Sequence, residues 1–219
     1  MAEGRSGSVT IEVRSYDRGL VKKASGFSCG HPDLDDWLRM HAGQQERRNN
    51  TRTFLAVIPR GDHVVGYYAT TTYRIEPDDE SVEFGAGHRT YPIPAVLMAR
   101  LAVDRHWSGC GIGRQLLVDA LTRVAEASRS VGFELVVVDA IDDRAVTFYA
   151  RYGFTRFEGH PRKLFLPTKH LLTTLEAQRT CPRTARCTCV VSTTCVQSSD
   201  NVQDECRTGR RSWLPRTSE

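Results

Sequence analysis

The chain has 219 residues, 40% of them hydrophobic and 26% charged, enough for one domain with a packed core. No apolar run approaches the roughly 18 residues needed to span a bilayer, and the start, MAEGRSGSVT, lacks the apolar stretch of an export signal. Membrane and secreted classes are therefore set aside for a cytoplasmic protein, whose net charge of +4 permits a polyanionic partner without requiring one.

Residues 1–8 read as a flexible start, residues 9–172 as one domain, and residues 173–219 as a disordered tail. Val9–Val13 reads as a first strand. From Asp33 to about Arg48 the pattern is helical, with Leu34, Trp37 and Leu38 on one face and acidic residues in the first turn. Thr53–Ile58 and Val64–Tyr73 are strands joined by the breaker-rich turn PRGDH. A polar segment, Pro77–Pro94, then reads as an exposed loop, followed by a strand over Leu97–Val103. Ile112, Leu116, Leu117, Ala120, Leu121 and Val124 recur at helical spacing. FELVVVDAI, Phe133–Ile141, is almost uninterruptedly apolar and so reads as a central strand buried on both faces. A second helix over Asp142–Tyr152 closes on Gly153, and Phe154–Phe157 and Lys163–Leu166 read as the last strands. Alternating strands and helices around a central apolar strand indicate an α/β fold with a mixed sheet.

After about Leu175 the composition shifts to Thr, Ser, Arg and Cys without any period, too little apolar surface to offset the ordering entropy. Five of the seven cysteines fall there, at Cys181, Cys187, Cys189, Cys195 and Cys206; the others are Cys29 and Cys110. CTC is too tight for zinc-ligand spacing, so no metal is expected and the thiols are read as free.

Between the Leu97–Val103 strand and the helix that follows lies LAVDRHWSGCGIGRQLL, with glycines at 109, 111 and 113. Glycines leave room for successive N–H groups to converge on an anion, and the helix start adds unpaired donors and a positive dipole end. A dinucleotide fingerprint fails because Arg114 follows Gly113 where the spacing to a third glycine is wrong. A phosphate-binding P-loop needs Lys followed by Ser or Thr, and Arg114-Gln115 fails that as well. An acyl-CoA loop of the form G-x-G-x-G after a strand agrees with this context. A plain flexible strand–helix turn is the competing structural reading.

Ser108-Gly109-Cys110-Gly111-Ile112-Gly113 resembles motif A of the GNAT N-acetyltransferases, with Ser108 where that superfamily has Gln or Arg. DDRAVTFYARYGF, residues 142–154, resembles its motif B, with Asp142 in place of Asn. A narrower resemblance, to the TacT-type GNAT toxins, runs from Phe27 to about Leu166 through FSCGHPDLDDWL, TFLAVIP, VVGYYATTTY, YPIPAVLMARLAVDRHWSGCGIGRQLLVDAL and LFLPTK. The resemblance implies a GNAT fold: a twisted, mostly antiparallel sheet whose central strands splay apart, flanked by helices. It implies acetyl-CoA as co-substrate and acetyl transfer to the α-amine of aminoacyl-tRNA, inhibiting translation. It also implies a ribbon-helix-helix antitoxin as partner, and a homodimer is compatible with it.

By that resemblance the backbone of Leu101, Ala102 and Val103 pairs with the pantetheine arm, and Gly109, Cys110, Gly111, Ile112, Gly113 and Arg114 hold the pyrophosphate. Tyr149 is the expected general acid for the departing thiolate, against a purely packing role on a core-facing helix. Asp142 is either a cofactor contact or simply a helix N-cap. No base is assigned, because an α-amine with a pKa of about 8 is already partly neutral. Arg47, Arg48, Arg89 and Arg105 are the expected tRNA contacts as a group, each alone being more often a solvated surface charge. Two other functions stay open: acetylation of a small amine or protein N-terminus, and a catalytically silent binding module.

Overall fold

A computed structural model describes residues 10–59, 61–76 and 91–180. The expected flexible start, most of the Pro77–Pro94 loop and the tail beyond residue 180 lie outside the described residues. Strand β1 (Glu12–Ser15) sits slightly later than expected, where it pairs antiparallel with β2 (Arg52–Ile58). A short helix, α1 (Arg18–Lys23), has no counterpart in the sequence reading, since one and a half turns are too few to show a period. Asp17 starts it, its carboxylate accepting from the Leu20 N–H at 2.8 Å.

The expected Asp33–Arg48 helix forms as three consecutive pieces: α2 (Pro32–Asp36), a π-helical turn over Trp37–His41, and α3 (Ala42–Arg47). Then follow β3 (His63–Ile75), β4 (Ile93–Val103), a 3-10 turn over Arg105–Trp107, and α4 (Ile112–Ala127). Ile93 and Pro94, read from sequence as loop, belong to β4. The chain continues through β5 (Leu135–Asp139), α5 (Asp143–Ala150), β6 (Thr155–Arg156), β7 (Lys163–Pro167) and α6 (Thr168–Thr180). Helix α6 crosses the expected boundary at residue 172, with Leu171 buried in the core at 4% exposure.

The sheet has seven strands in the order β1-β2-β3-β4-β5-β7-β6. Only β4 and β5 run parallel to each other, so the sheet is mixed and mostly antiparallel, as expected. Leu135 through Val138 of β5 are all buried, which explains their continuous apolar run. On one face α4 packs Ile112, Leu116, Leu117 and Leu121 against Val65, Met98, Val136 and Val138. On the other, Leu20, Val21 and Leu38 from the N-terminal helices cover Leu55, Val57, Tyr67 and Ala102. No helix among the described residues is long and apolar enough to cross a membrane.

Burial pushes the phenols of Tyr67, Tyr68 and Tyr149 well above their ordinary value, and for Tyr68 the hydrogen bond to Asp119 at 2.6 Å adds to it. The neutral phenol is thus favoured in the folded state. That stabilisation is complete below the unfolded tyrosine pKa of about 10 and is lost as pH rises beyond it. Denaturant midpoints should therefore be flat with respect to these groups up to about pH 9.5. Above pH 10 they should fall, by about 1.4 kcal/mol per pH unit per tyrosine. Replacing Tyr68 by phenylalanine should flatten that decline.

Candidate active site

Strand β4 carries a bulge. Its register against β3 steps from Ala69↔Arg100 to Thr70↔Met98, leaving Ala99 without an opposite residue. The parallel pairing with β5 runs only from Ala95↔Leu135 to Met98↔Val138. Beyond the bulge the two strands part, so the expected splay is present and begins at Ala99. The β5-facing backbone of Ala99–Val103 has no strand partner among the described residues. Side chains of Leu101 and Val103 pack against the α4 core, and Ala102 is buried on the opposite face. Only main-chain groups of Leu101 and Val103 are thus free to meet a ligand in the gap. The Asp104 N–H donates to the Val65 carbonyl at 2.9 Å, and strand alternation turns the backbone of Ala102, expected from the sequence to contact the arm, toward β3 instead.

The chain leaves β4 through Asp104, which is 7% exposed and ties this connection together. Its carboxylate accepts from the Ser28 N–H at 3.0 Å and the His106 N–H at 2.9 Å, and contacts His106 Nδ1 at 2.9 Å. Burial works against its charge, but these donors outweigh it and hold the carboxyl below its usual range. Removing the carboxylate with Asp104→Ala would strand two main-chain donors, and a loss of about 3 kcal/mol in denaturant-measured stability is expected.

Gly109 and Gly111 have φ of +79° and +77°, and a Cβ at either would meet nothing within 4 Å. The outer side of the loop is therefore open, and left-handed backbone is what makes glycine necessary there. Gly113 differs from both. It is helical, and its Cβ would lie 3.7 Å from Val103 and 3.8 Å from Phe148, ordinary contact distances. Of the three alternating glycines, two thus form the open turn and the third lies in the helix start. Gly111 is the N-cap of α4 and supplies no side-chain hydrogen bond, leaving the first N–H groups of the helix for an anion. Ile112 contributes only its N–H, because its side chain is 1% exposed within the core. Cys110 is half-buried, its thiol 3.9 Å from the Ser108 carbonyl oxygen, while Arg114 is exposed at the helix start.

Because β4 and β5 are parallel, α4 and α5 both begin at the same edge of the sheet, and Phe148 of α5 lies beside Gly113 of α4. Asp142 caps α5, its carboxylate accepting from the Ala145 N–H at 2.7 Å. That is the capping role anticipated for it. Tyr149 is 6% exposed, edge-on to Phe148 at 5.2 Å and to Phe154 at 5.5 Å between ring centres. It belongs to the core cluster on the α4 face. Burial raises its pKa, so the phenol keeps its proton throughout the physiological range. Burial and Asp35 push the Cys29 thiol up to about 11, which favours its protonated form at neutral pH.

The expected tRNA contacts are not brought together. Arg105 is exposed at the mouth of the loop, whereas Arg47 and Arg48 are exposed at the far end of α3. The Asn50 carbonyl accepts from Thr71, whose β4 neighbour is Leu97. Leu97 lies roughly 20 Å along the strand from Val103. Arg89 lies outside the described residues.

One residue at the split escaped the sequence reading. Arg100, beside the bulge, places its guanidinium 5.6 Å from the ring centre of Trp37, and its Nη1 donates to the Ala99 carbonyl at 2.6 Å. The signal was one charged residue inside the apolar run VLMARLAV, which periodicity alone treats as an interruption.

An unpaired strand edge, an uncapped helix start behind an open glycine turn, and a buried phenol define the site of a GNAT acetyltransferase. They fit an acyl-CoA, with a strand-like amide arm for the β4 edge and a diphosphate for the loop. The acetyltransferase (GNAT) domain family matches residues 52–156. A tRNA-acetylating toxin of Mycobacterium tuberculosis (strain ATCC 25618 / H37Rv) is 35% identical over 147 residues, covering 66% of this chain and 86% of that protein. AtaT complexed with acetyl-methionyl-tRNAfMet superposes with a TM-score of 0.65 at 28% identity, covering 78% of this chain and 100% of that one. A tyrosine-to-phenylalanine mutant of the AtaT toxin bound to the C-terminus of the antitoxin AtaR gives a TM-score of 0.65 at 27% identity, covering 78% and 99%. The chain belongs to the TacT-type, tRNA-acetylating toxin family of GNAT acetyltransferases. It is an acetyl-CoA-dependent acetyltransferase.

Proposed function

We propose that this enzyme moves the acetyl group of acetyl-CoA to the α-amine of aminoacyl-tRNA and so removes that amino acid from translation. The observation that carries this reading is the free β4 edge after Ala99, running from the split toward the glycine loop. When bound, acetyl-CoA supplies an acetyl thioester open to attack by an amine. The N–H groups of Gly109 and Gly111–Arg114 hold the pyrophosphate, whereas the Cys110 N–H, expected to join them, donates to the Trp107 carbonyl at 3.3 Å. Main-chain groups of Leu101 and Val103 pair with the pantetheine amides, as a neighbouring strand would. As the new C–N bond forms and the C–S bond breaks, the Tyr149 hydroxyl gives its proton to the departing sulfur. The attacking amine loses its own proton to water, and water returns one to the Tyr149 phenolate, which restores the acid for the next turnover.

The mycobacterial tRNA-acetylating toxin and the AtaT complex with acetyl-methionyl-tRNAfMet support tRNA as acceptor. The AtaT mutant bound to the C-terminus of AtaR supports neutralisation by a cognate antitoxin, which we take to be of the ribbon-helix-helix type. Arg105 at the mouth and Arg47 and Arg48 on α3 then act as two separate contacts with an extended RNA rather than one patch. Incubation with labelled acetyl-CoA and charged tRNA should place label on the aminoacyl group, with binding that weakens steeply as salt rises. Label confined to small amines or protein N-termini would overturn the reading.

A further inference from the structure

The face of the sheet opposite Tyr149 presents a second built feature at the split. Tyr67, fully buried, stacks nearly parallel on Trp37 at 5.7 Å and 9°, and Phe27 meets Tyr67 edge-on at 5.9 Å. The Tyr67 hydroxyl donates to the Leu34 carbonyl at 2.8 Å, anchoring this stack to α2. Arg100 completes the assembly, its guanidinium 5.6 Å from the Trp37 ring centre and tied to the Ala99 carbonyl. Among the described residues no carboxylate pairs with Arg100, which is half-buried. A half-buried cation with no ion-pair partner among the described residues, at the point where β4 leaves β5, is poised for an anion brought by a ligand.

The acetyl end of the donor must lie close to this point. The pyrophosphate loop follows the C-terminal end of β4, so the arm runs back along the free edge and can go no further than the Met98↔Val138 pair. The acceptor amine therefore approaches near Ala99 and Arg100. In an aminoacyl-tRNA the amino acid's carboxylate is esterified, which removes the anion a free amino acid would offer. The nearest anion to the α-amine is then the phosphodiester of the terminal nucleotide.

Building on the tRNA reading above, we propose that Arg100, held against Trp37, positions the acceptor by binding the 3′-terminal phosphodiester of aminoacyl-tRNA. The guanidinium touches the acceptor but takes no part in proton transfer. It selects acceptors that carry a phosphate near the amine over free amino acids and small amines.

Steady-state rates of wild type, Arg100→Gln and Arg100→Lys test this on two acceptors: charged tRNA, and a 3′-aminoacyl-adenosine that lacks the phosphodiester. Arg100→Gln should raise KM for charged tRNA about tenfold, and its salt slope should be shallower by about one. KM for acetyl-CoA and the rate on the phosphate-free acceptor should stay within about twofold of wild type. Arg100→Lys should fall between, since the charge remains but the fork is lost. Equal losses on both acceptors, or an unchanged KM for charged tRNA, would overturn the assignment. Wild-type enzyme that leaves charged tRNA unlabelled would instead overturn the tRNA reading itself, so the two failures are distinguishable.

Discussion

Tyr149→Phe should lower kcat about a hundredfold or more while leaving KM for acetyl-CoA and the unfolding midpoint nearly unchanged. The ring is 6% exposed between Phe148 and Phe154, and phenylalanine keeps that packing while deleting only the hydroxyl. What disappears is the proton donor for the departing thiolate. Burial holds the phenol protonated, so no falling limb from Tyr149 is expected in the pH–rate profile below pH 10. The rate of the wild type should instead rise toward pH 8 as the α-amine deprotonates. Rates on charged tRNA and growth arrest on induced expression measure the two consequences. A variant with wild-type turnover and toxicity would move the acid elsewhere, and toxicity without turnover would favour a silent binding module.

Gly111→Ala and Gly113→Ala should behave oppositely. Gly111 stands at φ +77°, and alanine there incurs roughly 1–2 kcal/mol of backbone strain at the turn that aims the α4 donors. The loop would relax toward ordinary geometry, and KM for acetyl-CoA should rise about tenfold. Gly113 is helical, with room for a methyl group against Val103 and Phe148 at 3.7 and 3.8 Å. Alanine there should leave KM within about twofold and add roughly 0.5–1 kcal/mol of stability through helix propensity. Acetyl-CoA titrations and denaturant melts of both variants read these effects. Equal impairment would mean that the Gly113 side of the loop also faces the ligand.

Much of the site was legible because it is local in sequence. Strand, glycine turn and helix start follow one another from Leu101 to Leu117, and backbone chemistry there depends on spacing within a few residues. The same holds for Asp142, whose carboxylate caps a helix beginning one residue later. The run from Leu135 to Val138 announced burial on both faces for the same reason.

What depended on distant partners was hidden. The Ala99 bulge is a mismatch between β4 and β3, visible only when Ala69 and Thr70 are set against Arg100 and Met98. Asp104 looked like one acid among many until Ser28, far back in the chain, donated to it. Arg100 became a candidate contact only once Trp37 was found beneath its guanidinium. Arg47 and Arg48 showed the reverse: grouped with Arg105 by charge, they lie at the other end of the sheet. By itself the sequence determined most of the elements, the donor loop and the candidate acid at Tyr149, because propensity and motif spacing act over a few residues. Only the tertiary structure decided where the sheet opens and which charges face the opening, since both follow from register and packing between segments far apart in the chain.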